Sequence, residues 1–202
     1  MTPERRAKFQ RVVQHRQSNL TVVLENVHDP HNISAVLRSC DAVGVMEIYV
    51  LYTDTPVERL KMGKRSSSGA KKWVDVHLFQ DVASCFKTVR SKYDQVLGTF
   101  LGTESKQLHA LNLRKSTALV FGNEHRGLSE ETKRFCDGNF LIPQVGMVES
   151  LNISVACAVT LYEAYRQRFI AGDPREIILD PDRQEALFKD YSERNKYSHP
   201  NS

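Results

Sequence analysis

The sequence predicts an α/β fold: a parallel sheet flanked by helices. Two observations predict it. Short β-branched runs alternate with stretches of helical period along most of the chain. Two of those runs end in irregular loops, one holding Gly122 and Gly127 and the other Pro143 and Gly146. An open α/β sheet usually holds its ligand in such loops, beyond the carboxyl ends of its strands.

Taken in order, positions 1–19 form a basic N-terminal helix and its exit. "LTVVLEN" (20–26) reads as a strand, and 33–43 as a helix closed by Gly44. "VMEIYVL" (45–51) is the next strand. A basic loop, "KMGKRSSSGAKK" (61–72), leads to "WVDVHLF" (73–79), which alternates cleanly. A helix over 81–93 precedes the strand "QVLGTFL" (95–101), and "TALVFGN" (117–123) follows. Ser129, with Glu130 and Glu131 behind it, caps another helix. "NFLIP" (139–143) and a long helix over 150–169 complete the sheet domain, 20–170. Positions 171–202, with Gly172, Pro174 and Pro181, read as a helical extension with one helix at 182–196.

Composition bounds the function. With 202 residues, 41% apolar and 26% charged, the chain has the profile of a soluble globular domain. No apolar run approaches the roughly 18 residues a membrane span needs. The start, "MTPERRAKFQRVV", has no apolar core of a secretory signal. The four cysteines lie far apart without a C-x-x-C pair, so they read as reduced thiols of a cytoplasmic protein, and no metal site is expected. Positive charge is concentrated. The first sixteen residues carry Arg5, Arg6, Lys8, Arg11 and Arg16 against Glu4 alone, a surplus equal to the +4 of the whole chain. Such clusters suit phosphate oxygens, although solvated surface explains them equally well. Neither a P-loop nor a G-x-G-x-x-G follows any strand.

Two helix starts share a polar trio: "HNISAVLRSC" (31–40) and "LNISVACAVT" (151–160). On the first, Ile33, Val36, Leu37, Cys40 and Val43 share one side. Asn32 is placed to cap it, and Arg38 falls on the opposite side near Asp41. A cap and a surface ion pair account for these residues as well as a functional role does. The second helix is apolar in nearly every direction from Ile153 to Leu161, so something must cover it fully. Either the core of one chain or a homodimer interface would do so; the small residues Ser154, Ala156 and Ala158 favour close approach of a partner helix.

Together, "ENVHDPHNISAVLRSCDAVGV", "LVFGNEHRGLSEE" and "IPQVGMVESLNISVACAV" resemble the three motifs of the SPOUT-class RNA 2′-O-methyltransferases. They are most similar to the SpoU (TrmH) branch, the tRNA guanosine-18 ribose methyltransferases. The resemblance spans about positions 1–170 and rests on three long motifs in order. It implies a SPOUT fold whose C-terminal part threads a trefoil knot, which periodicity cannot show, and knots are otherwise rare. It also implies a homodimer, with S-adenosylmethionine as cofactor and tRNA as partner. By matching positions, the cofactor pocket would use Thr99, Phe100, Gly122, Asn123, Glu124, Gly127, Ile142 and Leu151. Arg38, Asn32, Ser150 and Asn152 match the catalytic and substrate-orienting residues. Arg5, Lys8 and Arg16 fall where the family contacts tRNA. Asn32 and Arg38 would come from one protomer to meet Ser150 and Asn152 beside the other's cofactor. Glu149 departs from the pattern, which has Gln there, and this puts substrate affinity in doubt.

The implied reaction is an in-line attack of a ribose 2′-oxygen on a sulfonium methyl. Arg38 is the family's proton acceptor, yet a protonated guanidinium carries no free lone pair. A clamp on the neighbouring phosphate is the alternative role. Three other functions stay open: a ribose methyltransferase acting on ribosomal RNA or another tRNA position, a non-catalytic RNA-binding SPOUT protein, and an unrelated small-molecule α/β enzyme. The short basic N-terminal helix favours tRNA.

Overall fold

The computed structural model describes residues 1–55, 70–173 and 178–196, with only the backbone described at 195 and 196. Positions 61–69 of the basic stretch therefore lie outside the described residues. Strand β1 (Leu20–Glu25) is buried throughout and pairs in parallel with β2 (Glu47–Leu51) and β6 (Thr117–Phe121). β3 (Asp75–Phe79) extends one side. β4 (Gln95–Thr99), β7 (Gly138–Leu141) and the two-residue β5 (Lys106–Gln107) extend the other. The order is β3-β2-β1-β6-β4-β7-β5, every pairing parallel.

Period-two alternation sorts the strand side chains into two cores. Val22, Leu24, Ile48, Val50, Leu119 and Phe121 join the layer of α2 (Pro30–Ala42) and α5 (Ile153–Tyr165). Their neighbours Val23, Tyr49, Leu51, Ala118 and Val120 join that of α3 (Val82–Arg90). Each Val, Leu, Ile or Phe among them contributes about 1.5–3 kcal/mol when fully buried. Burial also raises the thiols of Cys85 and Cys136 to about 12, which leaves both unreactive at neutral pH.

Three departures from the sequence reading matter for function. First, Asp29 and not Asn32 caps α2, accepting from the His31 amide at 2.8 Å. Pro30 takes the first helical position, where its missing N–H costs nothing. The amide of Asn32 is thereby released for other work. Second, β4, β6 and β7 stop at Thr99, Phe121 and Leu141, about two residues short, because the chain turns there into loops around one cavity. Third, α5 is not apolar all round in its packing. Ile153, Cys157, Leu161 and Ala164 face α2 and the sheet, whereas Val155, Val159 and Tyr162 are 47%, 39% and 54% exposed. Strand β5 has no sequence signal, since two residues cannot display a period.

The N-terminal ends of the strands are closed by charge. Arg168, in a wide turn over Arg166–Ile170 after α5, is 1% exposed. Its guanidinium donates to the carbonyls of Leu113 (2.6 Å), Lys115 (2.6 Å) and Asn19 (3.2 Å), and to the side-chain oxygens of Gln17 (2.8 Å) and Asn19 (2.7 Å). Burial lowers it to about 10, which still leaves it charged at neutral pH. Beside it, α6 (Pro181–Lys196) packs on α1 (Pro3–Val13) through Phe9, Val13, Leu187, Phe188 and Tyr191.

Candidate active site

At the C-terminal ends of β4, β6 and β7 the chain leaves a cavity of about 350 Å³. Thr99, Phe100, Gly122, Asn123, Glu124, Gly127, Ile142 and Leu151 all line it, with Ser150 and Glu149 at the same wall. Phe100, Phe121, Phe140 and Ile142 make much of that wall apolar, while the loops add backbone polar groups.

The first loop, 122–128, is folded onto itself. The Asn123 amide donates to the Gly127 carbonyl at 3.1 Å, and the Gly127 amide to the Asn123 carbonyl at 2.8 Å. Gly127 has φ +65°, and a Cβ on Gly122 would lie 2.2 Å from the Gly127 carbonyl carbon. Only glycine allows the two arms to approach this closely. Residues that the sequence reading missed hold this loop against β1. Glu25, 1% exposed, accepts from the Ser129 amide (2.9 Å), the Ser129 hydroxyl (2.6 Å) and the Thr132 hydroxyl (2.7 Å). These bonds hold the carboxylate at the start of the helical turn α4 (Glu130–Lys133). The Asn26 carbonyl accepts from Asn123 Nδ2 at 2.8 Å, fixing the loop's other end. An acid ending a wholly buried, mostly apolar strand is the available signal for Glu25. Asn26, at φ +52°, had none beyond its residue type.

The two Asn-Ile-Ser segments meet at this cavity's edge. Asn32 Nδ2 donates to Glu124 Oε1 at 2.7 Å; Asn152 Nδ2 donates to the same oxygen and to Asn32 Oδ1, both at 3.1 Å. Asn152 Oδ1 caps α5, accepting from the Ser154 amide at 2.9 Å. Asn32 and Asn152, expected on opposite sides of a dimer, are therefore already in contact within a single chain. They join within one chain, and Glu124 joins them. Both asparagine amides are oriented by these bonds, and Ser150 lies exposed at the opening.

The cations separate. Arg38 is exposed on α2 with no hydrogen bond or ion pair among the described residues, and it does not line the cavity of its own chain. Asp41, its expected partner, pairs instead with Arg16. Lys8 is exposed and Arg5 half-buried on α1. Arg16 is 1% exposed, also donating to the Val45 carbonyl at 3.2 Å. Its position under α1 corrects the expectation of a surface cation.

A model of the SpoU rRNA Methylase family matches residues 19–162, most of the chain. The chain belongs to the SpoU methylase family. This SpoU methylase is 40% identical over 190 residues to the tRNA (guanosine(18)-2′-O)-methyltransferase of Thermus thermophilus, covering 94% of this chain and 96% of that one. The structure of the A. aeolicus TrmH/SpoU tRNA modifying enzyme matches it with a TM-score of 0.82 at 31% identity, over 95% of this chain and 96% of that. AviRb of Streptomyces viridochromogenes, a SpoU methyltransferase in complex with the cofactor AdoMet, matches with a TM-score of 0.66 at 28% identity, over 79% and 64%. Among the described residues of this SpoU methylase no helix is long and apolar enough to cross a membrane.

Proposed function

We propose that this SpoU methylase transfers a methyl group from S-adenosylmethionine to a tRNA ribose 2′-hydroxyl, at guanosine-18 of the D-loop. The observation that carries the reading is the Asn32–Glu124–Asn152 cluster at the edge of a glycine-framed cavity. It occurs in a chain aligned over 94% of its length with a relative named for that activity.

S-adenosylmethionine, when bound, supplies a methyl already activated by positive sulfur. The cavity suits it: Phe100, Ile142 and Leu151 offer apolar walls for a flat base, and the close approach of Gly122 and Gly127 leaves backbone groups bare for the polar parts. The chain's own task is to place the 2′-hydroxyl in line and to manage its proton. Asn32, Asn152 and Ser150 orient the ribose. Arg38 grips the adjacent phosphate and stabilises charge developing on the 2′-oxygen, while the proton passes to phosphate or water.

Arg38 of one protomer serves the cavity of its partner in a homodimer. Two observations support this: Arg38 does not line its own chain's cavity, and α5 presents the apolar stripe Val155, Val159 and Tyr162 to solvent. Arg5 and Lys8 contact the tRNA backbone. The C-terminal half of the sheet domain forms a trefoil knot, a reading supported by the insertion of β6 between β1 and β4 and by two later loops sharing one cavity. The setting is cytoplasmic, where tRNA is available.

Incubation with S-adenosylmethionine and unmodified tRNA, followed by nucleoside mass spectrometry, tests the reading. We expect 2′-O-methylguanosine in the D-loop fragment; methylation of a base, or of ribosomal RNA alone, would overturn it. For Arg38→Lys we expect a loss of roughly 100-fold at every pH, as the loss of an electrostatic stabiliser gives. Recovery of rate at raised pH would assign Arg38 as the base instead.

A further inference from the structure

Two acids, Glu124 and Glu149, line the cavity of about 350 Å³, and no lysine, arginine or histidine does. The chain as a whole carries a net charge of +4, so this wall is opposite in sign to the protein around it. The two carboxylates differ in what they hold. Glu124 Oε1 is occupied by the amides of Asn32 and Asn152, at 2.7 and 3.1 Å. Glu149 is exposed, precedes Ser150 on the same wall, and has no hydrogen bond or ion pair among the described residues. Its neighbours in the chain do not neutralise it either, since positions 143–151 contain no basic residue.

A free carboxylate adds nothing to the apolar walls, and it repels an RNA phosphate. It stabilises a cation. The cofactor of the proposed function is the cationic member of a pair. Its sulfur carries one positive charge until the methyl departs, and the electron pair of the broken bond then stays on a neutral thioether. The two members share every other group, so shape, stacking and backbone hydrogen bonds hold both alike. They differ by one methyl and one charge.

We propose that Glu149 sets the preference of this cavity for the sulfonium cofactor over its neutral product, S-adenosylhomocysteine, and so limits inhibition by that product. The inference rests on the proposed function for the identity of the cofactor. Arg38, the cation which that reading brings to the cavity, is directed to the substrate phosphate and leaves the carboxylate open. A unit charge several ångström away across solvent is worth about threefold in affinity, and added salt screens it. The effect is a bias between two ligands and not a condition for binding either.

Calorimetry of the full chain without RNA, with S-adenosylmethionine and with S-adenosylhomocysteine, reads that bias directly. Glu149→Gln keeps the shape and removes the charge. The ratio of the two affinities should fall about threefold in low salt, through weaker binding of S-adenosylmethionine alone. Glu149→Lys reverses the charge and should shift the ratio about tenfold; Glu149→Asp keeps the charge and should stay within about twofold. At about 1 M salt, where the screening length is about 3 Å, wild type and Glu149→Gln should converge. In turnover, inhibition by S-adenosylhomocysteine relative to the KM for S-adenosylmethionine should strengthen about threefold in Glu149→Gln. An unchanged ratio across the charge series, or an equal loss of both ligands, would overturn the proposal while leaving the cofactor assignment intact. Heat from neither ligand would remove the proposed function and this inference with it.

Discussion

Two arginines of this chain are held in opposite ways. At the N-terminal pole Arg168 is 1% exposed and donates to five oxygens. On α2 Arg38 is exposed and donates to none among the described residues. The first guanidinium ties the end of α5 to the entrances of β1 and β6, because Gln17 and Asn19 precede β1 and Lys115 precedes β6. The second is held only by its helix. A charge whose hydrogen-bond donors are all engaged serves the fold; one whose donors are open is available to a substrate phosphate.

The largest expected effect tests the structural side. Arg168→Met should cost about 3–5 kcal/mol, since it leaves several buried oxygens without a donor. In thermal unfolding this is a drop of roughly 10 °C for a chain of this size. S-adenosylmethionine affinity in the folded fraction should not change. An unaltered melting temperature would mean that water replaces the guanidinium freely.

Glu25 sharpens the contrast, because it is a fully engaged charge at the functional pole. Glu25→Gln supplies an amide where the Ser129 amide and two hydroxyls need acceptors. The expected loss is about 2 kcal/mol of stability from the unsatisfied donor. S-adenosylmethionine should also bind about tenfold more weakly by calorimetry, because the 122–128 loop loses an anchor, and tenfold corresponds to about 1.4 kcal/mol. Lost stability with intact affinity would make Glu25 purely structural.

The smallest expected effect lies on α5. The Glu163 carboxyl is pushed down to about 2, chiefly by hydrogen bonds from Arg166, with Gln167 and the charge of His109 adding to it. A depressed carboxylate stabilises the fold fully above its unfolded value and loses that contribution as pH falls through the folded one. Arg166 is 53% exposed on its side chain, so solvent screens the pair. Glu163→Gln should therefore cost about 1 kcal/mol at pH 7. The gap from wild type, about 3 °C in melting temperature, should narrow when both are measured at pH 3. A gap that widened in acid would contradict this sign.

How much of this was legible in the sequence follows from the range of each interaction. The alternation of "TALVFGN" and "LTVVLEN" with helical stretches located the central strands, because the faces of a covered sheet impose apolar character locally. The cavity-lining positions came from resemblance and lie together in the structure, since the motifs are contiguous. What could not be read joins distant positions: Glu25 with Ser129, Asn32 with Asn152, Arg16 with Asp41. No local period encodes such contacts. The cap of α2 is ambiguous in the sequence because Asp29-Pro30 and Asn32 both make acceptable starts, and only the packed structure shows which side chain turns back on its own helix.

Methyl transfer and thermal unfolding measured on one preparation of Arg38→Ala test the central contrast most directly. Without partners to lose, this exposed side chain should leave the melting temperature within about 2 °C of wild type, as surface substitutions do. Transfer to tRNA should fall about 100-fold or more, the scale of a lost charge-stabilising donor. A destabilised variant that still methylates at the wild-type rate would contradict the account.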